Sequence, residues 1–199
     1  MNSKPCILIL AAGASSRMKE AKQLLPWGDT SLVRHVINTA LATKSNSTFI
    51  VLGADHERIS DEIKGENVSI LHNKDYESGI SASIAVGIKG ILQTQQPSGI
   101  LIMLSDQPFI SSAYLNEMID TFTKNNLRIV STDYGDKMGV PAIFGVECFQ
   151  ELLQLKGDMG AARLISESIN KSTALNAGKA IQDIDTMEDY LKHRPANTP

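Results

Sequence analysis

The chain has 199 residues, 42% of them hydrophobic and 21% charged, with a net charge of -3 at pH 7. That length can bury the core of one α/β domain, and the charge excludes a dominantly basic surface for nucleic acid. Two cysteines make no disulfide framework, and no apolar run approaches the length of a membrane span.

The first apolar run, Cys6–Leu10, predicts a strand. With Ala11 it reaches only six residues, too short for a signal-peptide core, so cytoplasmic residence is expected. The chain then turns into "AAGASSRMKEAK". Small residues let backbone N–H groups approach an anion closely, and Arg17 and Lys22 bring positive charge to the same loop. Gly-Lys-Ser/Thr is missing, so this is no Walker loop, and a single Gly is no dinucleotide fingerprint. A phosphate cradle and a polar loop with two solvated cations both fit at this point.

Leu32, Val33, Val36, Ile37, Ala40 and Leu41 form one stripe at helical spacing over Ser31–Ala42, with Asp29 or Thr30 placed to cap it. Trp27 follows Pro26 and is expected to pack. A second strand is predicted at Thr48–Leu52, then a helix at His56–Lys64 and a strand at Val68–Leu71. "NKDYESGISAS" leads into a helix over Ser81–Leu92. Ser81 and Ser83 there suit either a phosphate or an ordinary helix cap.

The strand Ile100–Leu104 is apolar at every position and ends in "SDQP". Asp106 reads either as a turn residue before Pro108 or as a ligand for Mg²⁺, which prefers one or two carboxylates plus phosphate oxygens. Helices are expected at Ser112–Phe122, Phe149–Leu155 and Met159–Glu167, the last capped by Asp158 with Arg163 at the surface. Strands are expected at Arg128–Thr132 and Pro141–Phe144. In "DIDTMEDY", Asp183 and Asp185 share a face if extended. Asp185 or Thr186 can cap the closing helix Met187–Lys192, or Asp185 can join Asp106 at a metal. Cys6 and Cys148 are expected to be buried, and the four histidines show no zinc spacing.

The βα alternation predicts one domain over residues 1–193 with a mostly parallel sheet between two helical layers, followed by a frayed polar tail at 194–199. Ligands in such sheets bind beyond the carboxyl ends of the strands.

Taken together, "LAAGASSRM…K", "KQLLPWGDTSLVRHV", "NKDYESGISASIAVGI", "LSDQPFI", "GVPAIF", "LKGDMGAARLI" and "DIDTMEDY" resemble the molybdenum cofactor cytidylyltransferase family, from about Ile7 to Leu191. Two positions depart from that pattern. Lys19 stands where the family usually has Gly, and Val140 where some members have His before the proline.

The resemblance implies a three-layer α/β/α Rossmann-like nucleotidyltransferase fold. It implies Mg²⁺-dependent transfer of CMP from CTP to the terminal phosphate of a molybdopterin-type cofactor, with release of pyrophosphate. It assigns Arg17, Lys22 and Asp106 to catalysis, and Leu10, Ala11, Ala12, Gly13 and Gly53 with those three to the nucleotide. Gly79, Ser81, Ser83 and Pro141 fall to the acceptor, and Asp106 and Asp185 to the metal. A monomer that hands its product to a molybdoenzyme is expected, without nucleic acid or membrane. Transfer from GTP or another nucleotide to a different acceptor, such as a sugar phosphate, is the alternative within enzymes. A non-catalytic cofactor carrier is the alternative outside them, and the presence of both Asp106 and Asp185 favours the enzyme.

Overall fold

A computed structural model describes residues 4–15, 18, 20–168, 172–178 and 182–198. Arg17 and Lys19 lie outside the described residues. Nine strands and seven α-helices are assigned among them. In chain order these are β1 (Cys6–Ala11), β2 (Pro26–Trp27), β3 (Thr30–Ser31), α1 (Leu32–Leu41), β4 (Thr48–Leu52), α2 (His56–Glu62), β5 (Ser69–His72) and α3 (Ile80–Thr94). Then follow β6 (Gly99–Leu104), α4 (Ser112–Asn125), β7 (Ile129–Asp133), β8 (Met138–Gly145), α5 (Phe149–Leu153), α6 (Ala162–Glu167), β9 (Ser172–Asn176) and α7 (Met187–His193).

Seven strands make one sheet in the order β5-β4-β1-β6-β8-β7-β9. All are parallel to their neighbours except β8, which runs antiparallel to both β6 and β7. β1 sits near the middle of the sheet, and all six of its residues are buried. A central parallel strand covered on both faces has no solvent side, which is why its sequence is apolar without alternation.

The pleat still divides the core in two. Ile7, Ile9, Leu101 and Met103 meet Val33, Val36 and Ile37 of α1 and Leu115, Met118 and Ile119 of α4. Leu8, Leu10, Ile100 and Ile102 meet Ile84, Ile88 and Ile91 of α3, with Leu152 of α5 and Leu164 of α6. A third cluster, Met18, Leu25, Trp27, Leu32, Ile184 and Tyr190, lies apart from both. Trp27 is packed there, edge to face with Phe109 at 5.7 Å between ring centres.

Several expected boundaries shift for identifiable reasons. The cap of α1 is Ser31, whose hydroxyl accepts from Arg34 N, because the β2–β3 hairpin runs through Thr30 and Ser31 and the helix begins only at Leu32. α6 starts at Ala162 instead of Met159, without a side-chain cap. Gly157, at φ +59°, turns the stretch before it. The cap of α7 is Thr186, in a reciprocal pairing with Asp189, which leaves the Asp185 carboxylate to other partners.

The apolar pattern predicts no strand at β9, because "STALN" is an edge strand with only partial burial. Asn197 and Thr198, expected in a frayed tail, return to the hairpin. Thr198 Oγ1 accepts from Gly28 N at 2.9 Å, and Asn197 Nδ2 donates to Asp29 Oδ1 at 3.1 Å. Cys6 and Cys148 are buried free thiols, each pushed up in pKa by that burial. Among the described residues, no helix is long and apolar enough to cross a membrane.

Candidate active site

Parallel β1 and β6 end side by side, and Ser105 N donates to Leu10 O at 3.1 Å. Their carboxyl ends open into a cavity of about 620 Å³. The end of β1 and the loop after it contribute Leu10 to Ser15, and the turn after β6 contributes Ser105 and Asp106. Gly79, Ile80 and Ser83 from the start of α3 form the facing wall, with Tyr76 before them. Asp158 and Asp185 complete it from the later part of the chain.

The charged centre is built by three side chains far apart in sequence. Lys22 Nζ lies 2.5 Å from Asp106 Oδ2 and 3.5 Å from Asp185 Oδ1, and donates to Ile184 O at 3.3 Å. Lys22 and Asp106 side chains are each only 15% exposed, while Asp185 is 42% exposed. Ile184 N donates to Asp106 O at 2.9 Å, and the Ile184 side chain is fully buried in the third cluster. The 182–186 segment is thereby pinned to the Asp106 turn by its backbone and by one apolar anchor.

Asp106 Oδ1 is buried with no hydrogen-bond partner among the described residues. A buried carboxylate oxygen left without a donor is costly, so a group that supplies positive charge there would be held strongly. Among the described residues no cluster of three or more His, Cys, Asp or Glu forms a complete metal cage. The donor set is two carboxylates beside an anion-sized cavity, which suits a hard divalent cation that takes its remaining ligands from phosphate and water.

The loop after β1 is shaped from inside. Gln23 is buried, and its amide nitrogen donates to Gly13 O at 3.2 Å while its oxygen accepts from Ser15 Oγ at 3.3 Å. Ser15, at φ +49°, also accepts from Lys22 N through Oγ at 3.2 Å, which sets Lys22 relative to the loop. Gly53 stands behind the loop. A Cβ there would fall 2.6 Å from both Ala12 O and Tyr76 Cβ, so this position lets the two cavity walls meet. Gly79, at φ +94°, is crossed by the Gly157 backbone at a distance no Cβ permits.

Behind Asp106, the buried Gln107 amide donates toward Asp183 Oδ1 at 3.0 Å, Tyr134 OH at 3.0 Å and Val140 O at 3.2 Å. Tyr134 OH itself donates to Val140 O. Desolvation, reinforced by the Asp183 charge, pushes the Tyr134 phenol up to about 12. Desolvation and the Asp106 carboxylate raise the Asp183 pKa as well.

Leu10, Ala11, Ala12, Gly13, Lys22, Gly79, Ser83, Asp106 and Asp185 all line the cavity. Three expected residues are placed otherwise, and a fourth is not described. Arg17 lies outside the described residues, and Gly53 supports the wall without lining it. Ser81 is buried, with its backbone N–H given to Gly157 O at 3.2 Å. Pro141 is buried within β8, where its carbonyl accepts from Thr132 Oγ1 at 2.7 Å.

Gln23, Tyr76 and Asp158 were not expected at the wall. Asp158 carries a local signal, a carboxylate within Gly157–Gly160, but the same pattern predicts a helix cap. Tyr76 is one aromatic residue in a polar loop, and nothing local marks it.

The family model of the MobA-like NTP transferase domain matches residues 7–173. The chain is 30% identical over 198 residues to the purine catabolism protein PucB of Bacillus subtilis, covering 92% of each. It is 26% identical over 199 residues to the molybdenum cofactor cytidylyltransferase of Escherichia coli, covering 96% of this chain and 95% of that one. The crystal structure of Rv0371c from Mycobacterium tuberculosis superposes with a TM-score of 0.83 at 27% identity, covering 96% and 98% of the two chains. Rv0371c has also been solved in complex with manganese, and that structure matches at a TM-score of 0.76.

Proposed function

We propose that the protein transfers a cytidylyl group, starting from the fact that the chain belongs to the MobA-like NTP transferase family. It is a nucleotidyltransferase. The donor is CTP and the acceptor is the terminal phosphate of a molybdopterin-type cofactor, as the cytidylyltransferase relative's name and the sequence motifs suggest. The observation that carries the reaction class is the Lys22–Asp106–Asp185 centre, with the orphaned Asp106 Oδ1, at the mouth of a loop of small residues.

An oxygen of the acceptor phosphate attacks the α-phosphorus of CTP. The bond to the β-phosphate bridging oxygen breaks, and pyrophosphate leaves with that electron pair. A phosphate nucleophile is already ionised near neutral pH, so no proton has to be removed. This agrees with a cavity whose described lining contains neither His nor Cys. What the site must do is hold anions together in line and offset the charge that gathers on the leaving group.

Lys22 supplies a cation that is already fixed, and the loop from Leu10 to Gly13 brings backbone and small side chains to the nucleotide. Asp106 and Asp185 would hold the divalent ion, which when bound neutralises phosphate charge. Gly79 and Ser83 on the facing wall would receive the acceptor. A monomer acting on these two small molecules, with delivery to a molybdoenzyme, completes the proposal.

The test is pyrophosphate release from each of the four nucleotides with a molybdopterin-type acceptor, in the parent and in Asp106→Ala. CTP is expected to be preferred, and the folded variant is expected to lose turnover. Retained transfer in folded Asp106→Ala would reject the site, and equal use of all nucleotides would reject the cytidylyl assignment.

A further inference from the structure

Gln107 is 3% exposed and does not line the cavity, yet three acceptors surround its one amide nitrogen. Two protons cannot satisfy three full bonds. Val140 O is already served by Tyr134 OH, so one proton remains for Asp183 Oδ1 and the other is shared toward Tyr134 and Val140. The amide oxygen faces Leu104 N at 3.4 Å, at the end of the strand that carries Asp106. One buried side chain thus joins β6, the β7–β8 layer and the late 182–186 segment.

We infer that Gln107 is a positioning residue, whose amide fixes Asp183 and thereby holds the backbone that presents Asp185 in register with Asp106. Asp183 and Asp185 flank Ile184, whose side chain is locked in the core and whose backbone N–H is bound to Asp106 O. Among the described residues this segment is held by the Ile184 anchor, the backbone bond, the Lys22 ammonium on Ile184 O and Asp185, and the Gln107–Asp183 bond. Of these, the Gln107–Asp183 bond is the one that ties the segment to Tyr134 and Val140. Without it the segment keeps its anchor but gains freedom to rotate about it, and the two carboxylates facing Lys22 lose their fixed separation. This rests on Asp106 and Asp185 as the metal ligands. Partners that orient ligands from behind are worth about 10–100-fold in metal affinity.

The experiment is a titration of Mn²⁺, followed by electron paramagnetic resonance, against the full chain with CTP and no acceptor. Gln107→Met keeps the side-chain volume and removes the donor. It is expected to weaken Mn²⁺ binding by about 10–100-fold, to leave CTP binding without metal unchanged, and to recover turnover at saturating Mn²⁺. Asp183→Ala is expected to weaken Mn²⁺ similarly, and the double variant to be no worse than the weaker single, because both remove one bond. Losses that multiply in the double variant would overturn the pairing.

Parent-like Mn²⁺ affinity in Gln107→Met, with affinity lost in Asp106→Ala, overturns the inference and leaves the metal site standing. Parent-like affinity in Asp106→Ala overturns the metal site itself. If Gln107→Met does not fold, Asp183→Ala decides alone, and unchanged affinity there overturns the inference.

Discussion

Replacing Lys22 by Met should separate metal binding from catalysis. The change removes an ammonium lying 2.5 Å from Asp106 and 3.5 Å from Asp185, and keeps the apolar stem. At an effective dielectric of about 20, one such pair at 3.5 Å is worth roughly 5 kcal/mol in Coulomb energy. Solvent reduces this. Exposed pairs are worth up to about 1 kcal/mol, while breaking a buried pair costs about 3–5 kcal/mol. With Asp106 mostly buried and Asp185 42% exposed, an intermediate value of about 2 kcal/mol follows.

A divalent ion approaching the parent must displace or share these carboxylates with the ammonium, and in Lys22→Met it does not. Mn²⁺ should therefore bind folded Lys22→Met about 30-fold more tightly in the absence of nucleotide, the equivalent of about 2 kcal/mol. Transfer should move the other way, losing about 2–4 kcal/mol of transition-state stabilisation through the missing phosphate contact. Calorimetric titration of Mn²⁺ and steady-state pyrophosphate release measure the two effects. Mn²⁺ affinity that is unchanged or weaker would refute the claim that ammonium and metal compete for Asp106 and Asp185.

Two further outcomes follow from the same structure. Gly79→Ala should lower stability by about 2–3 kcal/mol, since a Cβ at φ +94° meets the Gly157 carbonyl group at 2.4 Å. Thermal melting should show it as a fall of roughly 5–10 °C for a chain of this size, and a variant melting with the parent would contradict the crossing. The phenol of Tyr134, pushed up to about 12, keeps its proton in the folded state over a range where an unfolded tyrosine loses it. Folding stability contributed by this group should therefore decline as pH rises from about 10, the ordinary tyrosine value, toward 12. Tyr134→Phe should remove that part of the alkaline loss, measured by denaturant melts across the range, and identical pH profiles would refute it.

The layers of this fold are written locally. β1 and β6 read as strands because every residue faces one of two helical layers, and α1 reads as a helix because its stripe meets only one. The signature loop and Asp106 were legible for the same reason, since each directly follows a strand whose carboxyl end must open to the ligand side. β9 was not legible, because an edge strand lacks the burial that shapes a pattern.

What only the tertiary structure decided is which of the marked residues meet. Asp185 joins Asp106 because Ile184 inserts into a core made by Trp27, Leu32 and Tyr190, residues from both ends of the chain. Thr186 takes the cap that Asp185 had equal claim to by sequence. Ser81 and Ser83 look alike in a string and both are buried, yet Ser81 gives its N–H to Gly157 O while Ser83, its hydroxyl accepting from Asn73 Nδ2, lines the cavity. A sequence carries the chemistry of each side chain, but the distance between two charges is set by everything packed between them.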